Sequence, residues 1–320
     1  MKNKFLVSFM VCAVCAAVSL SACAGMKNSG RPVPPSTGEG RFFTVSDGAE
    51  IFVYTYAPEL EIEATIYILS GITGINHRME TDVIKTLAGK HNRIVVIHPR
   101  GTGYSSGTRG DIQDFHRFLK DYVEIINADF SGENRPEKLV LFGHSMSTAI
   151  AMHAAAQLSR VDGIILVNPP YSMKESEGMT PGCGAYINYA GYYIFAPHTP
   201  VVNMAGDPAL IKNEKERREA IERGNDPLLV RYFSMYMMSE SRKLMDRMVE
   251  MAALMEMPLL LVYGTDDSIV DKKGCDEIYS AWKSTNKKYL LIENGPHGKQ
   301  TVIEGGSAIR GWIHDSVEIN

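Results

Sequence analysis

The chain has 320 residues, of which 45% are hydrophobic and 22% charged, an ordinary globular composition long enough for one large domain or two small ones. A formal net charge of −4 offers no basic field of the kind that draws nucleic acid, so nucleic acid is not an expected partner. No repeat of the solenoid type runs through the sequence.

The N-terminus differs in kind from the rest. Lys2 and Lys4 precede an apolar run from Phe5 to Leu20, the pattern of an export signal, shorter than the roughly 20 residues a membrane span needs. The run closes on Leu20-Ser21-Ala22-Cys23, which resembles the lipobox of bacterial lipoproteins, where the signal is cleaved before a cysteine that is then lipidated. That resemblance implies a signal peptide over residues 1–22 and a lipid-bearing Cys23 that holds the mature chain to a membrane of the bacterial envelope. Ala24 after it is compatible with the outer membrane in a cell that has two. Residues 23–40, rich in Gly, Pro, Ser and Lys, have too few apolar side chains to fold and are expected to form a flexible tether.

Residues 41–320 read as one folded domain. Apolar, β-rich runs at Arg41–Val45, Ile51–Tyr56, Thr65–Leu69, Arg93–His98, Lys138–Phe142, Gly163–Asn168, Pro258–Tyr263 and Lys288–Ile292 predict eight strands. Helical patterns fall near His77–Lys90, Asp111–Ala128, Ser147–Ser159, Gly274–Ser284 and Lys299–His314. Strand and helix alternate after the first two strands, which calls for an α/β fold: a mostly parallel eight-stranded sheet with helices on both faces.

Residues 139 to 150, LVLFGHSMSTAI, run from an apolar strand into a small-residue helix with Ser145 between them. Strand, Gly143-His144-Ser145-Met146-Ser147 and helix form the context in which a G-x-S-x-G turn presents a nucleophile. Gly143 relieves crowding at the turn, and Ser147 in place of the last glycine reads as a small packing substitute. A serine hydroxyl needs a base to take its proton and donors to hold the oxyanion that follows. One donor is the N–H of Met146. The other comes from the loop after the third strand, Ser70-Gly71-Ile72-Thr73-Gly74, with Ile72 the first choice and Gly71 the alternative register.

Between Asn168 and Pro258 no convincing strand is visible. An insertion over about 170–237 is expected to form a helical cap over the carboxyl ends of the sheet, where ligands of open α/β sheets bind. Within it Asn213–Arg223 reads as a charge-dense helix with a solvated face. Leu244, Met248, Met251 and Met255 recur at helical spacing and read as core, the alternative being a soft wall for an acyl chain. The seventh strand leads into Gly264-Thr265-Asp266-Asp267-Ser268-Ile269-Val270-Asp271, and the eighth into Asn294-Gly295-Pro296-His297-Gly298. Serine, acid and histidine thus occur in the required chain order, with His297 in a loop beyond the last strand. Cys12 and Cys15 leave with the signal, and Cys183 and Cys275 can bridge in an exported protein, though spacing alone does not decide it. No CxxC pair or His/Cys cluster with metal spacing remains, so neither a metal nor a cofactor is expected.

These motifs together resemble the α/β-hydrolases of the monoacylglycerol lipase and lysophospholipase (serine aminopeptidase S33-type) group. Beyond GHSM, Pro99-Arg100-Gly101-Thr102-Gly103-Tyr104-Ser105-Ser106-Gly107 with Arg109-Gly110 is similar to its RGxGxSxG…RG stretch, and Asn225-Asp226-Pro227-Leu228 resembles its cap-exit motif. The resemblance selects Asp267 over Asp266, because the family places its acid three residues after the glycine, and matches Asp271 to a further acidic position. Ser70 stands where the family has histidine, His98 where it has aspartate, and Ser147-Thr148 where it has two glycines. What it implies is an exported serine esterase acting on a small lipid-like ester such as a monoacylglycerol or lysophospholipid, with Ser145, His297 and Asp267 as its triad. An aminopeptidase or amidase of the same fold would need an acidic pocket for a substrate amine, with Glu175, Glu177 and Asp207 as candidates. A catalytically silent, ligand-binding lipoprotein is the reading from another class.

Overall fold

The structure, a computed structural model, describes residues 30–34, 40–74, 76–78, 81–131, 137–174, 183–204 and 214–316. The apolar run Phe5–Leu20 and Cys23 lie outside the described residues, as do Glu175, Glu177 and Asp207.

The described residues contain strands β1 (Gly40–Thr44), β2 (Glu50–Tyr56), β3 (Ala64–Leu69), β4 (Asn92–Ile97), β5 (Lys138–His144), β6 (Gly163–Val167), β7 (Pro200–Asn203), β8 (Tyr232–Ser234), β9 (Leu259–Gly264) and β10 (Lys287–Ile292). The helices are α1 (Thr81–Ala88), α2 (Phe115–Asp129), α3 (Ser147–Ala155), α4 (Cys183–Phe195), α5 (Glu214–Asn225), α6 (Met235–Asp246), α7 (Met248–Ala252), α8 (Lys272–Ala281) and α9 (Lys299–Ser316). The main sheet has eight strands in the order β1-β2-β4-β3-β5-β6-β9-β10. The pairs β1–β2 and β2–β4 are antiparallel and every other pair is parallel, as the alternation of strands and helices requires.

The pleat divides each central strand between two cores. From β5, Leu139 and Leu141 join one core with α2, α3, α6, α7 and α8, while Val140 and Phe142 join the other with α1 and α9. Ile164 and Leu166 of β6 split from Ile165 and Val167 in the same way, as do Leu259 and Leu261 of β9 from Leu260. Strands covered on both faces carry no polar alternation, which is why they read as unbroken apolar runs. Leu244, Met248, Met251 and Met255 all belong to the first core, so the packing reading of the methionine-rich stretch holds. Their helix is broken at Arg247, which ends α6 and begins α7.

Several expectations are corrected. Residues 168–258 do contain strands: β7 and β8 form an antiparallel ribbon apart from the main sheet, four and three residues long. The first helix begins at Thr81, not His77, because Asn76 and His77 are drawn into the interior and Thr81 Oγ1 bonds back to their loop at His77 O and Arg78 O. The next helix begins at Phe115, not Asp111, because Asp114 caps it by accepting from His116 N and Arg117 N. Asp111 instead meets His198 of the insertion, 3.1 Å from its Nδ1. The pairing of Cys275 with Cys183, which spacing left undecided, is not made: Cys275 is a free, buried thiol. Among the described residues 30–34, Arg31 reaches the body: its Nε donates to Tyr104 O at 2.8 Å, Nη1 lies 3.6 Å from Glu50, and the guanidinium sits 5.2 Å over the Phe42 ring.

Candidate active site

β5 ends at His144 and the chain turns at Ser145 with φ +54°, a conformation that costs a residue with a Cβ about 1 kcal/mol or more. Three hydrogen bonds hold it there. Ser145 N donates to Val167 O at 2.9 Å, and Ser145 O accepts from Thr148 N at 2.9 Å and Thr148 Oγ1 at 2.6 Å. Two positions earlier, a Cβ on Gly143 would stand 2.6 Å from Ser147 O and 2.7 Å from Thr148 Cα. Those are backbone atoms of α3 and cannot swing aside. Gly143→Ala is therefore expected to cost about 3 kcal/mol or more, read as a fall in the denaturation midpoint, and to lose activity with it.

Ser147 does more than fill space. Its hydroxyl accepts from His144 N at 2.8 Å and donates to His144 O at 2.9 Å, lashing the first turn of α3 to the strand end. This corrects the reading of Ser147 as a packing substitute alone. Ser147→Ala keeps the volume and removes both bonds, so an expected loss of about 1–2 kcal/mol in urea titration separates the two accounts, which simple packing would leave near zero.

Asp267 and His297 arrive from β9 and β10. Asp266 is exposed, whereas Asp267 is fully buried. His297 Nδ1 lies 2.7 Å from Asp267 Oδ2, and His297 Nε2 lies 3.0 Å from Ser145 Oγ. Asp267 Oδ1 accepts from the N–H groups of Ile269 at 2.8 Å and Val270 at 2.7 Å. Burial pushes the Asp267 carboxyl up, but the His297 contact and those two N–H groups outweigh it and leave its pKa below the ordinary carboxylate value. An ionised carboxylate only accepts, so the proton sits on Nδ1 and leaves Nε2 free to accept from the Ser145 hydroxyl.

The two loops are laced together and to β6. Asp266 N donates to Gly295 O, Thr265 N to Ile292 O and Asn294 N to Thr265 Oγ1. Asn168, buried at φ +47° beyond β6, accepts from Gly264 N through Oδ1 at 2.9 Å. Lys174 N donates to Ile269 O, and Lys174 Nζ donates to the Asp267 carbonyl. Asp271, the further acidic position, caps α8 by accepting from Lys273 N.

The loop after β3 abuts the turn at Ser145. A Cβ on Gly71 would stand 2.9 Å from Met146 Cε and 3.8 Å from Ser147 N, so the segment bearing Ile72 lies against the one bearing Met146. Buried Tyr122 fixes the start of that loop by donating to Ser70 O at 2.5 Å. Its far side is tied to the chain returning from the insertion: Val230 N donates to Thr73 O, and Asn76 Nδ2 donates to Asp226 Oδ2. Arg109 gathers the same region, its guanidinium donating to the carbonyls of Gly103, Pro227, Leu228 and Leu229. His98 occupies the aspartate position of the family stretch. Its Nε2 lies 3.0 Å from His77 Nδ1, its Nδ1 accepts from Tyr104 N, and burial with the neighbouring His77 and Arg78 pulls its pKa down to about 3.

Ser145, Asp267 and His297 are thus brought together, and the loop that carries Ile72 lies against the turn that carries Met146. Sequence reasoning gave Asn168, Tyr122 and Lys174 no role, and only Asn168 carried a signal, an asparagine at a strand end where a left-handed residue is tolerated. Arg109 was visible only as part of a motif. Among the described residues no group of three or more His, Cys, Asp or Glu side chains is arranged to hold a metal ion.

Comparison with known proteins agrees with this architecture. Residues 61–300 match the family Serine aminopeptidase, S33. An abhydrolase domain-containing protein of Dictyostelium discoideum is 27% identical over 283 residues, 85% of this chain, which spans only 28% of that relative's length. Human monoglyceride lipase is 23% identical over 262 residues, covering 79% of this chain and 81% of the lipase. The crystal structure of a soluble variant of monoglyceride lipase from Saccharomyces cerevisiae, in complex with a substrate analog, superposes with a TM-score of 0.69 at 15% identity, over 91% of this chain and all of that one. At that identity the likeness speaks for the fold alone, the α/β-hydrolase fold. With three quarters of its length matched, the chain belongs to the serine aminopeptidase S33 family of α/β-hydrolases.

Proposed function

We propose that the protein is an exported serine esterase that cleaves carboxylic esters of lipid-like substrates, of the monoacylglycerol or lysophospholipid type, through an acyl-enzyme. The observation that carries this reading is the 3.0 Å approach of His297 Nε2 to Ser145 Oγ, with Asp267 2.7 Å behind the imidazole. His297 takes the proton as Ser145 attacks the carbonyl, and Asp267 holds the tautomer and offsets the imidazolium charge. The N–H groups of Ile72 and Met146 receive the oxyanion, helped by the positive end of α3. His297 then protonates the leaving alcohol, and water, activated in turn, releases the acid. The lipid-like substrate class is supported by the likeness to human monoglyceride lipase.

The family's description supports a second reading, cleavage of an aminoacyl amide, which requires an acidic group near the substrate amine. Turnover of a monoacylglycerol set against an aminoacyl p-nitroanilide separates the two: hydrolysis of the ester alone is expected, and faster hydrolysis of the amide would reverse the assignment.

We further propose that Cys23 is the lipidated first residue of the mature chain, that residues 1–22 are removed, and that residues 41–320 form the hydrolase domain with its cap over about 170–237. Acyl chains at Cys23 would hold the enzyme to an envelope membrane, where its substrates partition. Mass spectrometry of the N-terminal peptide tests this: an acylated Cys23 is expected, and an unmodified one or cleavage elsewhere contradicts it.

A further inference from the structure

We propose that Arg31 is a clasp that turns the Ser145 end of the sheet toward the lipid bilayer, an inference that rests on the anchoring at Cys23 proposed above. Tyr104, whose carbonyl Arg31 holds, belongs to the loop that leaves β4 at Ile97. β4, β3 and β5 are adjacent and parallel, so this loop lies along the same edge as Ser145, which follows β5. The point at which the tether meets the body is therefore on the active-site edge.

Lengths decide whether that matters. From Cys23 to Arg31 the chain has 31 − 23 = 8 residues, a reach of no more than about 28 Å. Counted to Gly40, where β1 begins, it has 40 − 23 = 17, a reach of about 60 Å. A domain of roughly 280 residues has a radius of gyration near 19 Å and is about 50 Å across. A 60 Å tether would let any face meet the bilayer, whereas a 28 Å one keeps the clasped edge against it. The surface at the clasp suits that position. Val33 and Phe42 are exposed, beside Arg31, whose charge is partly offset by Glu50, and an exposed Arg78 whose guanidinium lies 5.8 Å from the Tyr104 ring. Apolar groups bordered by guanidinium groups fit the boundary between acyl chains and anionic headgroups.

The chain's two tryptophans report the orientation, because both lie at the opposite edge. Trp282 Nε1 donates to Met257 O just before β9, and Trp312 adjoins Ile313, whose carbonyl accepts from Lys138 at the start of β5. The test uses the full lipidated protein in phosphatidylcholine–phosphatidylglycerol vesicles carrying a dansyl-labelled lipid. A ten-residue Gly-Ser insertion is made either between Gly25 and Met26 or between Ser36 and Thr37. Both lengthen the tether equally, but only the first lengthens it ahead of Arg31. Tryptophan-to-dansyl transfer is expected to be low in the unaltered protein and in the second variant, and at least about twofold higher in the first. Equal transfer in the two variants, or high transfer in the unaltered protein, overturns the clasp. An unlipidated Cys23 overturns it together with the anchoring. The esterase reading stands or falls separately on hydrolysis of soluble p-nitrophenyl acetate, which neither insertion is expected to change.

Discussion

Ser145→Ala is expected to lower kcat on a short-chain p-nitrophenyl ester by roughly 10⁵-fold or more while leaving the fold in place. The covalent route ends with the hydroxyl, and only oxyanion donors and binding remain to hasten attack by water. The fold survives because what sets the turn is backbone: the bond from Ser145 N to Val167 O and those into Ser145 O from Thr148. Alanine keeps the Cβ at φ +54°, so the strain of the turn is neither relieved nor increased. Circular dichroism and a urea midpoint close to those of the unaltered protein separate loss of the nucleophile from loss of structure. A loss of only tenfold would place the nucleophile elsewhere.

Asp267→Asn is expected to lower kcat by about 10⁴-fold, and Asp266→Asn by far less. Asp267 touches the imidazole and is buried, whereas Asp266 is exposed and engages the His297 loop through its backbone N–H. An amide can present its N–H₂ to Nδ1 and so favour the tautomer whose proton sits on Nε2, the nitrogen that must accept from Ser145. The acid also leaves a mark on stability. Its folded pKa is depressed, so it contributes stability that is in place above the ordinary carboxylate pKa and lost as pH falls through the lower native value. Asp267→Asn should remove that part of the acid sensitivity, measured as a shallower decline of the urea midpoint below the carboxylate range. Reversed effects of the two substitutions on kcat would shift the acid by one residue.

The centre of the sheet was legible because the strands that build it are buried on both faces. Leu139–Phe142 and Leu259–Val262 present nothing polar, and runs of that kind have few other places to go. The serine, acid and histidine were legible because each follows a strand at the same edge of the sheet. The ribbon β7–β8 was not, since three or four residues carry too little pattern and Pro200 opens one of its strands. Arg109 was legible as a motif residue but not as a hub, because a guanidinium bonded to four backbone carbonyls names no partner side chain in the sequence. Ser147 illustrates the same limit. Its size fits the place of a glycine, and only the positions of His144 N and O show that its hydroxyl is used. Arg31 sits in a stretch whose composition says tether, and composition is blind to one long side chain reaching Tyr104 O.

A fluorophosphonate probe distinguishes an activated Ser145 from an inert one, because only a serine with a base at hand reacts quickly. Labelling followed by peptide mass spectrometry should find the adduct on the Ser145 peptide, formed rapidly in the unaltered protein and absent in Ser145→Ala. An adduct on Ser147 or another residue, or a folded protein that does not label at all, would contradict the account.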